Sequence, residues 1–83
     1  MYYVYLLKSL KDLNFYVGYT HDLKNRILEH QRGKVISTKY RRPLRLVCYE
    51  AYIDKETAMK REKFLKTSDG KLDMNRRLKK YKE

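Results

Sequence analysis

The chain opens on an uncharged run, Tyr2–Leu7, in which aromatic and aliphatic side chains alternate. Such a run predicts a largely buried strand, with Tyr3, Tyr5 and Leu7 on one face and Tyr2, Val4 and Leu6 on the other. A spacer, Lys8–Asn14, follows, and its Ser9, Asp12 and Asn14 suit a hairpin connection. Phe15–Tyr19 then repeats the strand pattern, placing Tyr16 and Gly18 on one face and Phe15, Val17 and Tyr19 on the other. A glycine at a strand end marks the close approach of another group to the backbone. In an antiparallel hairpin Tyr5 and Tyr16 would be neighbours on one face. Two adjacent phenols are ordinarily core residues.

The period then changes from two to 3.6. Asp22, helped by Thr20, is placed to cap a helix that Gly33 stops. Leu23 and Ile27 form its apolar stripe, His30 lies beside Leu23 on that stripe, and Arg26 borders it. A semi-buried histidine that has found a partner and a snorkelling arginine are the plain readings of these two residues. A guanidinium turned toward the packed side also wants an anion. Val35–Pro43 reads as a loop and Leu44–Tyr52 as a third strand. Asp54 caps a further helix running to about Thr67, where Ala58, Glu62 and Leu65 share one stripe at i, i+4 and i+7. Glu62 is therefore expected on the packed face. A carboxylate there needs a cation, supplied by Arg26, Arg61 or a metal ion. Asp69-Gly70 reads as a chain break, after which Met74, Leu78 and Tyr81 form the docking stripe of a last, basic helix. The expected architecture is a small α/β (α+β type) domain with a three-stranded antiparallel sheet flanked by helices, in the order β-β-α-β-α-α.

Length and charge sharpen this picture. The 83 residues make one domain, 1–83, and a chain of that size buries only roughly 60–65% of its unfolded surface. The single cysteine, Cys48, lies in the apolar third strand and reads as a small buried hydrophobe. No internal disulfide is possible, which favours a reducing cytoplasm. Met1 runs straight into a strand pattern, so neither a secretory leader nor a membrane span is expected.

Twenty-one basic residues stand against ten acidic ones, a formal net charge of +11. The excess is concentrated. Lys34, Lys39, Arg41, Arg42 and Arg45 fall in an acid-free stretch from Lys34 to Tyr49, and Ser68–Glu83 adds Arg76 and Arg77 among six basic residues against three acids. Dispersed lysines serve solubility, but an acid-free block points to a polyanion, and nucleic acid fits better than a membrane surface. Basic residues interleaved with Ser37, Thr38 and Tyr40 suit phosphate contacts combined with base stacking. Lys34, Lys39, Tyr40, Arg41, Arg42, Arg76 and Arg77 are the expected nucleic-acid contacts.

The ordered set Tyr3-Val4-Tyr5, Tyr16-Val17-Gly18, Arg26, His30 and Glu62 resembles the GIY-YIG endonuclease domain, and most closely its small stand-alone members. Short tripeptides are weak motifs singly; the order and spacing of the set are much more specific. Tyr3-Val4 stands where the name residues are glycine and isoleucine, and Tyr19 where family nucleases often carry a basic residue. Asn75 is the counterpart of the family's late asparagine only by a poor local match.

The resemblance implies a phosphodiesterase. Glu62 would hold a divalent ion, Mg²⁺ first and Mn²⁺ as the alternative. Arg26 would clamp the scissile phosphate. Tyr5, assisted by Tyr16 or His30, would orient and deprotonate water, with Gly18 as the motif's backbone position. An unperturbed phenol titrates near ~10, so His30 is the better base on pKa alone, and both assignments stay open. The implied function is a metal-dependent DNA endonuclease of repair type, preferring DNA to RNA and directed by nucleic-acid structure or a protein partner, with no small-molecule substrate. The rivals are a non-catalytic nucleic-acid-binding module and a basic adaptor for an acidic protein.

Overall fold

A computed structural model describes residues 1–81 of the chain. Three strands, β1 (Tyr2–Ser9), β2 (Phe15–Thr20) and β3 (Leu44–Tyr52), form one antiparallel sheet in the order β2-β1-β3. Three helices, α1 (Leu23–Gln31), α2 (Lys55–Leu65) and α3 (Ser68–Arg77), complete the expected β-β-α-β-α-α order. Short 3₁₀ turns at Lys39–Arg41 and Lys79–Tyr81 add to it. Among the described residues no helix is long and apolar enough to cross a membrane.

The alternation along β1 divides the core in two. Val4 and Leu6 face Ala58 and Leu65 of α2, Met74 of α3, and Leu78. Tyr5 and Leu7 face the opposite way, with Leu44, Tyr16, and Leu23 and Ile27 of α1 packed on them. The central strand is therefore covered on both sides, which is why it carries no polar residue before Lys8. The pairing shifts between Leu6 and Leu7, which face Cys48 and Leu46 of β3 and leave Val47 as an extra residue. This bulge lets Val47 and Cys48 both pack against the α2–α3 side.

Local chemistry fixes the helix ends. The Asp22 carboxylate accepts from the Asn25 amide at 3.1 Å and the Asp54 carboxylate from Thr57 at 2.8 Å, both as the sequence pattern predicts. At the other end of α1 the chain turns left-handed at Gly33 (φ 76°).

Asp69-Gly70 does not break the chain. Both residues lie in the first turn of α3, capped by Thr67, whose hydroxyl accepts from the Gly70 amide at 3.1 Å. A Cβ at Gly70 would run into the Phe64 carbonyl and would stand 2.6 Å from Leu65 Cα. This glycine therefore serves close packing of α3 on the end of α2. Met74 and Leu78 dock as expected, and the side chain of Tyr81 lies outside the described part. Thr67→Ala is expected to cost about 1 kcal/mol. In thermal melts that corresponds to a fall of about 4–8 °C, and an unchanged midpoint would remove the cap from the stability of α3.

Candidate active site

Five of the sequence-selected residues meet under α1. Tyr5 pairs with Gly18 across the β1–β2 ladder, and Tyr16 lies one diagonal away on the same face. The Tyr5 ring lies against Gly18, where a Cβ would clash with the ring's Cζ and hydroxyl. Gly18 is thus a seat for Tyr5. His30, on the last turn of α1, stands edge-on to both phenols, with ring centroids 5.5 Å from Tyr5 and 5.2 Å from Tyr16. Arg26, one turn earlier, borders the same cluster and pairs with Glu29 at 3.3 Å.

His30 is fully buried and both its nitrogens are engaged. Nε2 lies 2.7 Å from the Tyr5 hydroxyl, and Nδ1 lies 2.7 Å from Thr38 Oγ1. Burial, and then the Arg26 charge, push its pKa down to about 4, so the ring is neutral near pH 7. Burial pushes the Tyr5 phenol up to about 12 against the opposing pull of Arg26, which acts as a donor to its oxygen. One tautomer of the neutral ring, with the phenol donating to Nε2 and Nδ1–H donating to Thr38, satisfies both bonds. Tyr5, His30 and Thr38, all fully buried, form a continuous chain of hydrogen bonds.

Thr38 escapes sequence reasoning as a site residue. It is fully buried in a loop whose composition suggests solvent and phosphate. The signal was a histidine on an apolar stripe, whose second nitrogen needs a partner, and a hydroxyl eight residues on that can supply it. Ser37 adds a weaker link, donating to the Tyr16 hydroxyl at 3.3 Å.

The neutral, buried imidazole has a consequence for stability. Unfolded, His30 takes up a proton near its ordinary 6.5; folded, it resists protonation until about 4. Between those values the unfolded chain binds more protons, so stability falls as pH falls, by at most about 3 kcal/mol. A melting temperature that drops from pH 7 to pH 4.5 is expected, with His30→Gln flattening the slope. Equal slopes in the two proteins would assign the acid sensitivity elsewhere. Asp12, which the Arg41 guanidinium holds down to about 2, acts in a lower window, its contribution lost as pH falls below its ordinary 3.8.

Glu62 comes from α2 on the other side of the sheet, and its charge is among those acting on the Tyr5 phenol. The two arginines that could have neutralised it are committed elsewhere. Arg61 makes a two-pronged pair with Glu50 at 2.9 and 3.1 Å, and Arg26 turns to Glu29. Glu62 instead accepts from Lys66 at 3.1 Å, a surface lysine with a 53% exposed side chain, while its own side chain is 21% exposed. A half-buried carboxylate held by a surface lysine is available to a cation. Among the described residues no cluster of three or more His, Cys, Asp or Glu could hold a metal. A single carboxylate such as Glu62 is what a hard ion that keeps most of its waters requires of a protein.

The expected nucleic-acid residues divide into two groups. Lys34, Lys39, Tyr40 and Arg76 project into solvent, with Lys39 Nζ 5.5 Å from the Tyr40 ring centroid, and Arg77 is exposed with a 3.4 Å pair to Asp73. Arg41 and Arg42 are used by the fold. Arg41 binds Asp12 at 2.6 Å and the Asn14 carbonyl at 3.2 Å, and Arg42 donates to the Lys39 carbonyl at 3.0 Å. Ser9, buried at the end of β1, donates to the Arg41 carbonyl at 2.6 Å and fastens the same loop.

The sheet thus seats Tyr5 against Gly18 with Arg26 and His30 beside it, and Glu62 comes from α2. The GIY-YIG catalytic domain model matches residues 1–77. The chain belongs to the GIY-YIG family. Membership places it among nucleases whose substrates are nucleic acids and which generally depend on a divalent metal ion. A UPF0213 protein of Staphylococcus saprophyticus is 42% identical over 66 residues, covering 78% of this chain and 79% of that protein. A UPF0213 protein of Streptococcus pyogenes is 43% identical over 65 residues, covering 77% and 70%. These short relatives are the small stand-alone GIY-YIG proteins that the sequence resembles. No solved structure gives a significant match.

Proposed function

We propose that the protein is a divalent-metal-dependent endonuclease that hydrolyses phosphodiester bonds in DNA. Nucleic-acid structure, rather than sequence, directs it, and the setting is repair-like. The observation that carries this reading is the buried relay Tyr5–His30–Thr38, with Arg26 beside Tyr5. A module that only binds nucleic acid has no use for a phenol hydrogen-bonded through a fully buried imidazole.

Arg26 receives the scissile phosphate on its guanidinium, exchanging Glu29 for a stronger anion. Tyr5 holds the attacking water. As its oxygen takes the water's proton, its own hydrogen passes to His30 Nε2, 2.7 Å away, so no free phenolate is needed from a group raised to about 12. Phosphate on Arg26 also cancels the positive charge that helps depress His30, so the imidazole becomes a better acceptor when substrate is in place. Thr38 fixes the ring plane throughout. Glu62 would hold Mg²⁺, which when bound supplies positive charge to the phosphate and the leaving oxygen. Lys34, Lys39, Tyr40, Arg76 and Arg77 would contact the strands.

One observation favours a second reading. In the free protein His30 and Tyr5 titrate on opposite sides of neutrality, about 4 and about 12, as in a scaffold that binds without hydrolysing. Incubating the protein with labelled single-stranded, duplex, flapped and branched DNAs, and an RNA control, in Mg²⁺ separates the two. Cleavage of a DNA with a shape preference is expected. Salt-sensitive binding to every member with no cleavage would move the assignment to the binding module.

A further inference from the structure

A cavity of about 450 Å³ opens at the free edge of β2, between the hairpin turn and the α2–α3 corner. Its lining combines the apolar residues Phe15, Val17, Leu65 and Met74 with the polar residues Asn14, Asn75, Lys66 and Lys71. The volume lies within the range of about 300–1,000 Å³ usual for small-ligand sites.

Two of its lining residues belong to the candidate active site as well. Tyr16 presents its ring to His30, and Lys66 is the partner of Glu62. Because Lys66 both lines the cavity and pairs with Glu62, a ligand in the cavity lies beside a phosphate held at Glu62. An aromatic and aliphatic lining that includes two asparagines and two lysines matches one ligand class closely. It offers stacking and apolar contact to a ring face, donors and acceptors to a ring edge, and cations to the phosphates on either side. A second copy of the chain is a poor occupant, because each molecule carries a net charge of +11.

We propose that this cavity receives the unstacked base of the nucleotide adjoining the scissile phosphate. The inference rests on the nuclease reading and deepens it. The strand must present an unpaired or flipped-out base next to the bond that is cut, which is a physical basis for preferring nucleic-acid structure over sequence. Asn75 acquires a role at the base edge, and Lys66 alternates between Glu62 in the free protein and a phosphate in the complex.

Thymidine 3′,5′-bisphosphate, a single base flanked by two phosphates, tests this without cleavage and without uncertainty of register. Its affinity is measured by NMR titration against the abasic deoxyribose bisphosphate, in wild type and in Leu13→Trp. Leu13 lines the cavity, is 53% exposed, and can be enlarged without loss of core. The nucleotide is expected to shift the signals of Val17, Met74 and Asn75, and to bind about 5- to 100-fold more tightly than the abasic compound. Leu13→Trp should abolish that advantage while leaving the abasic affinity unchanged, and Asn75→Ala should reduce it. Equal affinities for the two compounds in wild type, or shifts confined to Arg26 and the basic loop, would overturn the base pocket while leaving the nuclease to be judged by its cleavage. Loss of the advantage with dimerisation of the free protein, reversed by Leu13→Trp, would make the cavity an interface between copies and overturn it equally.

Discussion

Glu62→Gln is expected to lower metal-dependent cleavage by about 10³-fold or more, while nucleic-acid affinity stays within a few-fold of wild type. The substitution keeps the shape of the side chain and removes only its charge. Glu62 lies on the packed side of α2 between Ala58 and Leu65, yet its partner is a surface lysine and not one of the two arginines nearby in the sequence pattern. Nothing in the fold depends on its negative charge as Glu50 does on Arg61. Removing the charge should therefore leave thermal stability nearly unchanged. Rates in Mg²⁺ under single-turnover conditions, taken beside melting temperatures, separate the possibilities. An unaltered rate would exclude Glu62 as a metal ligand, and a large loss of stability would recast it as a structural ion-pair partner.

Gly18→Ala should be the most damaging small change in the sheet. The added methyl group falls on the Tyr5 ring, which is itself buried between β2 and α1 and cannot retreat. Overpacking of this kind costs about 1–3 kcal/mol. If the ring rotates to make room, its hydroxyl leaves His30 Nε2, and cleavage should fall by about 10²-fold from misplacement alone. Urea titration and single-turnover kinetics on the same preparation distinguish the outcomes. A lowered midpoint with a lowered rate is expected. Full activity with full stability would mean that Tyr5 does not need its seat on Gly18.

Much of this arrangement is legible in the sequence. The change from period two to period 3.6 located both hairpin strands and α1, and β3 runs from Leu44 to Tyr52 as its composition predicts. The pattern also put Tyr5, Tyr16 and Gly18 on one face and Glu62 between Ala58 and Leu65. What escaped depends on groups far apart in sequence. Asp69-Gly70 carries a strong local turn signature, but the glycine is needed where α3 crosses the Phe64 carbonyl. Thr38 looks like a solvated loop hydroxyl until His30 is found pressing its Nδ1 against it. Arg41 reads as a free phosphate ligand because Asp12, its partner, is 29 residues away. Charge counted along a chain cannot tell a cation that awaits a ligand from one already holding the fold. The acid-free loop is therefore less available to nucleic acid than its composition suggests.

The relay also sets what a pH profile should look like. The imidazole must be neutral to accept a proton, and with its pKa held down to about 4 it stays neutral well below physiological pH. Loss of activity on acidification should therefore begin below the range in which an ordinary histidine titrates, and bound substrate, by neutralising Arg26, should move that limb upward.

The most direct measurement is single-turnover cleavage of one labelled DNA by the wild-type protein in Mg²⁺, followed by chelator and then by restored excess Mg²⁺. Cleavage that stops on chelation and returns with the metal is expected of a divalent-metal-dependent phosphodiesterase built on Tyr5, Arg26, His30 and Glu62. Cleavage indifferent to chelator, or its absence on every nucleic acid that the protein binds, would contradict that assignment.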